Sequence, residues 1–203
     1  HAGRLDEADM ERELSGARIV VDATHPFATL ASGNIRAASL AVGVRCLRLA
    51  RPVEALPKGV VSVASIACAA RFLSENPGRA LLTTGSKELA PYTSVADFAE
   101  RFFVRVLPLP GAITKCIDAG FSPSHVIGMQ GPFTRELNEA MLRQVGAQWL
   151  VTKDSGTVGG TAEKIASARD VGARCIVVAR PAEGGGALSL REVEDALLRE
   201  FAR

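Results

Sequence analysis

Short apolar runs, separated by polar turns and by stretches of helical spacing, set out the chain. Residues 18–22, 44–49 and 60–63, then 80–83, 102–107, 125–129, 148–152 and 175–179, are of strand length with little alternation, the pattern of strands buried on both faces of a sheet. Helical spacing fills much of the rest. Residues 29–42 place Leu30, Asn34, Ala37, Ala38 and Ala41 on one face before Gly43, and residues 134–145 do the same with Leu137, Ala140, Met141 and Val145 before Gly146. Shorter helical patterns cover 6–14 and 65–73. The tail, 189–201, opens on a capping box of Ser189 with Glu192 and carries Leu190, Val193, Leu197, Leu198 and Phe201.

The sharpest unit runs from Trp149 to Pro181. An apolar run breaks into Lys153-Asp154-Ser155-Gly156, a helical segment follows with Ala162, Ile165 and Ala166 inward, and a second apolar run closes a βαβ unit. Alternation of this kind predicts an α/β fold with parallel sheets and right-handed crossovers. The turn Asn76-Pro77-Gly78 is the expected boundary, giving domains over 1–77 and 78–203. The first has about three strands, fewer than a doubly wound domain needs, so its opening strand and helix are expected to lie ahead of His1.

With 203 residues, 47% of them apolar, the chain has enough material for a real core. A net charge of +2, with one Trp and one Tyr, argues against nucleic acid. Cys46, Cys68, Cys116 and Cys175 are too scattered for a zinc site or a disulfide framework and read as small core residues in a reducing compartment. No apolar run reaches the ~18 residues of a membrane span, so a cytoplasmic protein without membrane partners, and a monomer, is expected.

Chemistry collects where strands end. The segments 22–27, 83–87, 129–134, 153–156 and Arg180-Pro181 each follow an apolar run, so a parallel sheet would gather them on one rim. Gly85, Gly131, Gly156, Gly159 and Gly160 either let backbone amides approach a ligand or simply serve tight turns; no Walker loop or G-x-G-x-x-G is present. His25 is a candidate proton donor, or a turn cap. Lys153 and Asp154 either pair with each other or leave Lys153 to hold a carboxylate or phosphate while Ser155 and Gly156 supply hydrogen bonds. Arg48, Arg51, Arg105 and Arg180, also near strand ends, rank below Lys153. No nucleophile elbow and no carboxylate cluster of metal-ligand spacing is present, which favours a reaction that asks mainly for positioning, such as hydride transfer.

Taken together and in order, Val21-Asp22-Ala23-Thr24-His25-Pro26-Phe27-Ala28, Leu82-Thr83-Thr84-Gly85-Ser86-Lys87-Glu88-Leu89, Gly128-Met129-Gln130-Gly131-Pro132-Phe133-Thr134, Val151-Thr152-Lys153-Asp154-Ser155-Gly156 with Glu163-Lys164, and Arg180-Pro181 resemble the precorrin-6A reductase family of the CobK/CbiJ type. The resemblance implies two Rossmann-like domains around a cleft and NADPH-dependent reduction of the tetrapyrrole precorrin-6A to precorrin-6B in cobalamin biosynthesis. By position it implies Thr84, Gly85, Ser86, Gln130 and Gly131 toward the cofactor, Thr24, Pro26, Lys153, Asp154, Ser155 and Gly156 toward the substrate, His25 as acid, and no metal. Members usually open with a strand and a Gly-Gly-Thr loop, ahead of where this sequence starts. The readings from other classes are a non-catalytic tetrapyrrole or nucleotide carrier of the same fold and a sugar- or nucleotide-transferring enzyme.

Overall fold

The computed structural model describes residues 5–52, 55–156, 159–181 and 186–202. In chain order its elements are α1 (Glu7–Leu14), β1 (Ile19–Asp22), α2 (Thr29–Ala41), β2 (Arg45–Arg48), β3 (Val61–Val63), α3 (Ile66–Glu75), β4 (Ala80–Leu82), α4 (Ala90–Thr93), α5 (Phe98–Arg101), β5 (Phe102–Val106), α6 (Pro110–Asp118), β6 (Val126–Gly128), α7 (Arg135–Val145), β7 (Trp149–Lys153), α8 (Thr161–Asp170), β8 (Arg174–Val178) and α9 (Leu190–Phe201). Every strand expected from the apolar runs is present within a residue or two. None of the described helices is long and apolar enough to cross a membrane.

Two compact units result: His1–Val53 together with Pro181–Arg203, and Glu54–Arg180. In the first, β1 and β2 pair in parallel with Asp22 opposite Arg48, and Leu49 bridges Leu188. Its small core is Leu47, Val193 and Ala196, flanked by Ile19, Leu49, Leu188 and Leu197. The capping box is present as read: Ser189 Oγ accepts from the Glu192 amide while the Glu192 carboxylate accepts from the Ser189 amide. Because α9 buries Val193 and Ala196 beside β2, the tail belongs to the first unit, not to a domain over 78–203.

The second unit is a six-stranded, all-parallel sheet in the order β3-β8-β7-β4-β5-β6. Counted from β4, this is the doubly wound order of a dinucleotide-binding sheet: β5 and β6 step outward on one side, β7 and β8 on the other, and the last place falls to β3. α7 and α8 cover one face over Leu81, Leu150, Cys175 and Val177. On the other face Phe72 of α3 meets Trp149 edge-on at 5.3 Å, and Tyr92 of α4 meets Phe102 at 6.2 Å. Trp149 and Phe102 are essentially sealed, and burying a large apolar side chain contributes about 1.5–3 kcal/mol.

The expected boundary at Asn76-Pro77-Gly78 therefore falls inside the second unit. Trp149 Nε1 donates to the Pro77 carbonyl at 3.2 Å, Arg101 Nε donates to the Gly78 carbonyl at 3.1 Å, and a side chain at Gly78 (φ +122°) would run into Gln148. The turn is a packed α3–β4 connection. A Pro-Gly pair reads alike in a linker and in a tight connection, since both need only its backbone geometry.

Candidate functional site

In an open parallel sheet, ligands sit beyond the carboxyl ends of the strands where the strand order reverses. That point lies between β4 and β7. The turn after β4 brings Thr84, Gly85 and Ser86; the end of β7 and the loop after it bring Lys153 to Gly156. Lys153 Nζ meets Glu88 Oε1 at 3.3 Å and ties the two together. Gln130 and Gly131 lie exposed beyond β6, two strands from β4, or about 10 Å at ordinary strand spacing.

Not all of these groups face outward. Thr84 is buried, its hydroxyl 3.4 Å from the Tyr92 hydroxyl, and desolvation drives the Tyr92 phenol well above its ordinary range. Gly85 (φ +81°) has open space where a side chain would stand, so backbone can approach a ligand there. Ser155 is buried too: its amide donates to Thr161 Oγ1 at 3.1 Å and its hydroxyl lies 3.0 Å from the same oxygen. A methyl group on Gly159 would strike the Ser155 side chain. Ser155 thus holds the loop to the first turn of α8.

Of the two readings of Lys153 and Asp154, the contacts among the described residues give each a different partner: Lys153 pairs with Glu88, and Asp154 receives Arg180. Arg180 Nε and Nη2 each reach an Asp154 oxygen at 2.9 Å, and the Gly156 amide donates to Asp154 Oδ1 at 3.3 Å. Beside this pair a cavity of about 160 Å³ is lined by Leu56, Pro57, Gly156, Ala162, Ile165 and Arg169, among others.

In the first unit, Thr24, His25 and Pro26 follow β1. Arg48 Nη1 lies 2.9 Å from Asp22 Oδ1 and donates to Thr24 Oγ1 at 3.0 Å and to the Thr24 carbonyl at 3.2 Å; Thr24 Oγ1 in turn meets Ser32 Oγ at 2.8 Å. Burial raises the Asp22 pKa, but hydrogen bonds from Thr24 and Ser32 and the Arg48 charge outweigh it, and the net direction is downward. Pro26 is buried. The Phe27 amide points at His25 Nδ1 at 3.3 Å, which assigns the proton of the neutral imidazole to Nε2.

Arg105, ranked below Lys153 from the sequence, and Lys164, quoted there only as part of a motif, stand out. Arg105 of β5 is 5% exposed, its Nη1 on Asn138 Oδ1 at 2.7 Å and its guanidinium 4.0 Å from the Phe133 ring; desolvation brings its pKa down to about 10. Lys164 of α8 donates to the Gly159 carbonyl at 3.0 Å; burial, then the Arg105 charge, brings its pKa down to about 8. The available signal for Arg105 was its place within Phe102-Phe103-Val104-Arg105-Val106, a charge inside an otherwise apolar buried strand.

Comparison with known proteins extends along nearly the whole chain. The family described as precorrin-6x reductase CbiJ/CobK matches residues 1–199. A cobalt-precorrin-6A reductase of Methanothermobacter thermautotrophicus is 40% identical over 187 residues, covering 88% of this chain and 60% of that protein. A cobalt-precorrin-6A reductase of Priestia megaterium is 33% identical over 207 residues, covering 98% and 80%. The chain therefore spans 60–80% of the length of these relatives. A solved CobK precorrin-6A reductase is similar with a TM-score of 0.75 and 25% identity, over 98% of this chain and 81% of that one. Order of motifs, strand order and whole-length similarity agree, and the chain belongs to the precorrin-6x reductase CbiJ/CobK family.

Proposed function

We propose that the protein reduces one double bond of precorrin-6A, with or without cobalt, to give precorrin-6B, using NADPH in a cytoplasmic setting. Family membership supports the reaction class. The observation that carries the site is the reversal of strand order between β4 and β7, which sets the Gly85 turn and the Lys153–Gly156 loop side by side at the edge where such sheets take their ligands.

NADPH would supply the hydride. The residues at the β4 turn and beyond β6 fit its polar parts: Gly85 offers open backbone and half-buried Ser86 a hydroxyl at the first, while exposed Gln130 and Gly131 add amide and backbone groups at the second. α4, which follows, has only four residues, so the fit rests on the turn itself and not on a helix dipole. Lys153 and Gly156 flank the same edge and suit the carboxylates of the macrocycle. Hydride gained at one carbon of the conjugated system is balanced by a proton gained elsewhere on it. In this reading His25, whose Nδ1 accepts from the Phe27 amide, hydrogen-bonds to the macrocycle and polarises it.

The test is an anaerobic assay of NADPH oxidation with precorrin-6A and with cobalt-precorrin-6A. Oxidation matched by formation of the reduced macrocycle supports the reading; binding of both ligands without oxidation would leave a carrier instead.

A further inference from the structure

Arg48 does more than neutralise Asp22. Its Nη1 lies at 2.9 to 3.4 Å from five oxygens: Asp22 Oδ1, the Asp22 and Thr24 carbonyls, Thr24 Oγ1 and Ser32 Oγ. These belong to the end of β1, the loop after it and the start of α2, so one cation on β2 ties together three segments of the first unit. The side chains of the ion pair are 16% and 5% exposed, and at such burial desolvation offsets much of the attraction between them. What the arrangement yields is geometry.

Thr24 is held at three atoms. Its amide donates to Asp22 Oδ1 at 3.0 Å, its carbonyl and hydroxyl oxygens accept from Arg48, and Oγ1 also meets Ser32 Oγ at 2.8 Å. The Thr24 carbonyl and the His25 nitrogen share one planar peptide, so the direction in which Arg48 holds that carbonyl sets the direction in which His25 leaves it. Further along, the Ala28 amide donates to the His25 carbonyl at 2.7 Å and the Ser32 amide to the Ala28 carbonyl at 3.0 Å, while the Phe27 amide meets His25 Nδ1 at 3.3 Å. His25 therefore stands between two fixed ends, one tied to β2 through Arg48 and one tied to α2.

We infer that Arg48 is a positioning residue for the reduction: acting through Thr24, with Asp22 and Ser32 as its other contacts, it aims the His25 ring. The inference rests on the reading in which His25 hydrogen-bonds to the macrocycle. Aim matters there, because a shift of about 1 Å in a group that meets the substrate can cost on the order of a hundredfold in rate.

The test combines two variants with two readouts. Arg48→Lys keeps the charge, but a shorter ammonium cannot reach the same oxygens; Ser32→Ala removes one hydroxyl and leaves the ion pair in place. With precorrin-6A and NADPH, kcat should fall at least about tenfold in Arg48→Lys and at least about threefold in Ser32→Ala, with the KM for NADPH within about twofold of wild type. Placed in a His25→Ala background, the same two changes should lower kcat by less than about twofold, because the ring they aim is gone. The second readout needs no turnover. The proton–carbon NMR signal of the His25 ring should move in both variants, while the Trp149 indole signal, a marker of the second unit's fold, stays in place. Losses that multiply in the His25→Ala background, or a His25 signal unmoved in both variants, would overturn the positioning role while wild-type NADPH oxidation left the reductase reading standing. A His25 signal that moves in a wild-type background that oxidises no NADPH would overturn the reductase reading and keep Arg48 as the group that sets the ring.

Discussion

Arg180 grips Asp154 with both arms of its guanidinium, Nε on one carboxylate oxygen and Nη2 on the other, each at 2.9 Å. The pair joins the residues just past β7 and β8, and its side chains are only 9% and 17% exposed. Asp154→Asn should cost on the order of 2–4 kcal/mol in urea unfolding, because it removes the charged carboxylate that both guanidinium nitrogens reach in a mostly desolvated place. Arg180→Lys should recover little of this, since an ammonium cannot make the two-point contact. A loss under about 0.5 kcal/mol for Asp154→Asn would mean that solvent already screens the pair.

Gly159→Ala should destabilise by about 1–3 kcal/mol through collision with the Ser155 side chain. Ser155→Gly in the same chain should return part of that loss, giving a non-additive double-mutant cycle. Additive losses would mean that the two positions do not meet.

The positions of the rim residues in the fold were largely legible in advance, and the reason for the remainder is physical. Apolar runs fix strands well because a strand buried on both faces has few other compositions, so β4 to β8 and the rim residues that follow them could be located from Leu82, Val151 or Val178 onward. Pairing across the sheet leaves no such mark. Nothing in Val61-Ser62-Val63 says that it lies beside Ile176-Val177-Val178 and not beside β2. Direction is equally silent: Thr84 and Ser155 are ordinary rim hydroxyls by sequence, and only packing against Tyr92 and Thr161 turns them inward.

Asp22 makes acid stability readable. Its folded pKa is depressed, so its contribution is complete above the unfolded value of about 3.9 and disappears as pH falls through the folded value. Arg48→Met removes one of the stabilising charges and should move the acid-unfolding midpoint to higher pH, followed by circular dichroism. An unchanged midpoint would mean that the hydrogen bonds from Thr24 and Ser32 suffice.

Lys164 runs with the opposite sign. Its folded pKa of about 8 lies below the ordinary lysine value, so the folded state disfavours the charged form, fully below pH ~8 and not at all above pH ~10.5. Lys164→Met should therefore be more stable than wild type near neutral pH, by on the order of 2–3 kcal/mol, with the gap closing as pH rises through that window. A pH-independent gap would assign the gain to the added methionine packing alone.

His25→Ala should lower turnover at least about tenfold. With Nδ1 accepting from the Phe27 amide, the ring offers Nε2 as its donor. Turnover of His25→Ala within about twofold of wild type would take His25 out of the reaction.

The edge strand β3 carries a consequence for synthesis. Its hydrogen-bonding partner, β8, is made more than a hundred residues later, so a chain leaving the ribosome exposes β3 long before the sheet that receives it can close. Expressed from residue 78 onward, the second unit would present a bare β8 edge, with unpaired amides and carbonyls along Ile176 to Val178, and such an edge invites pairing with other chains. Fragments of this protein have to be cut by sheet membership and not by position along the sequence if they are to leave no such edge open.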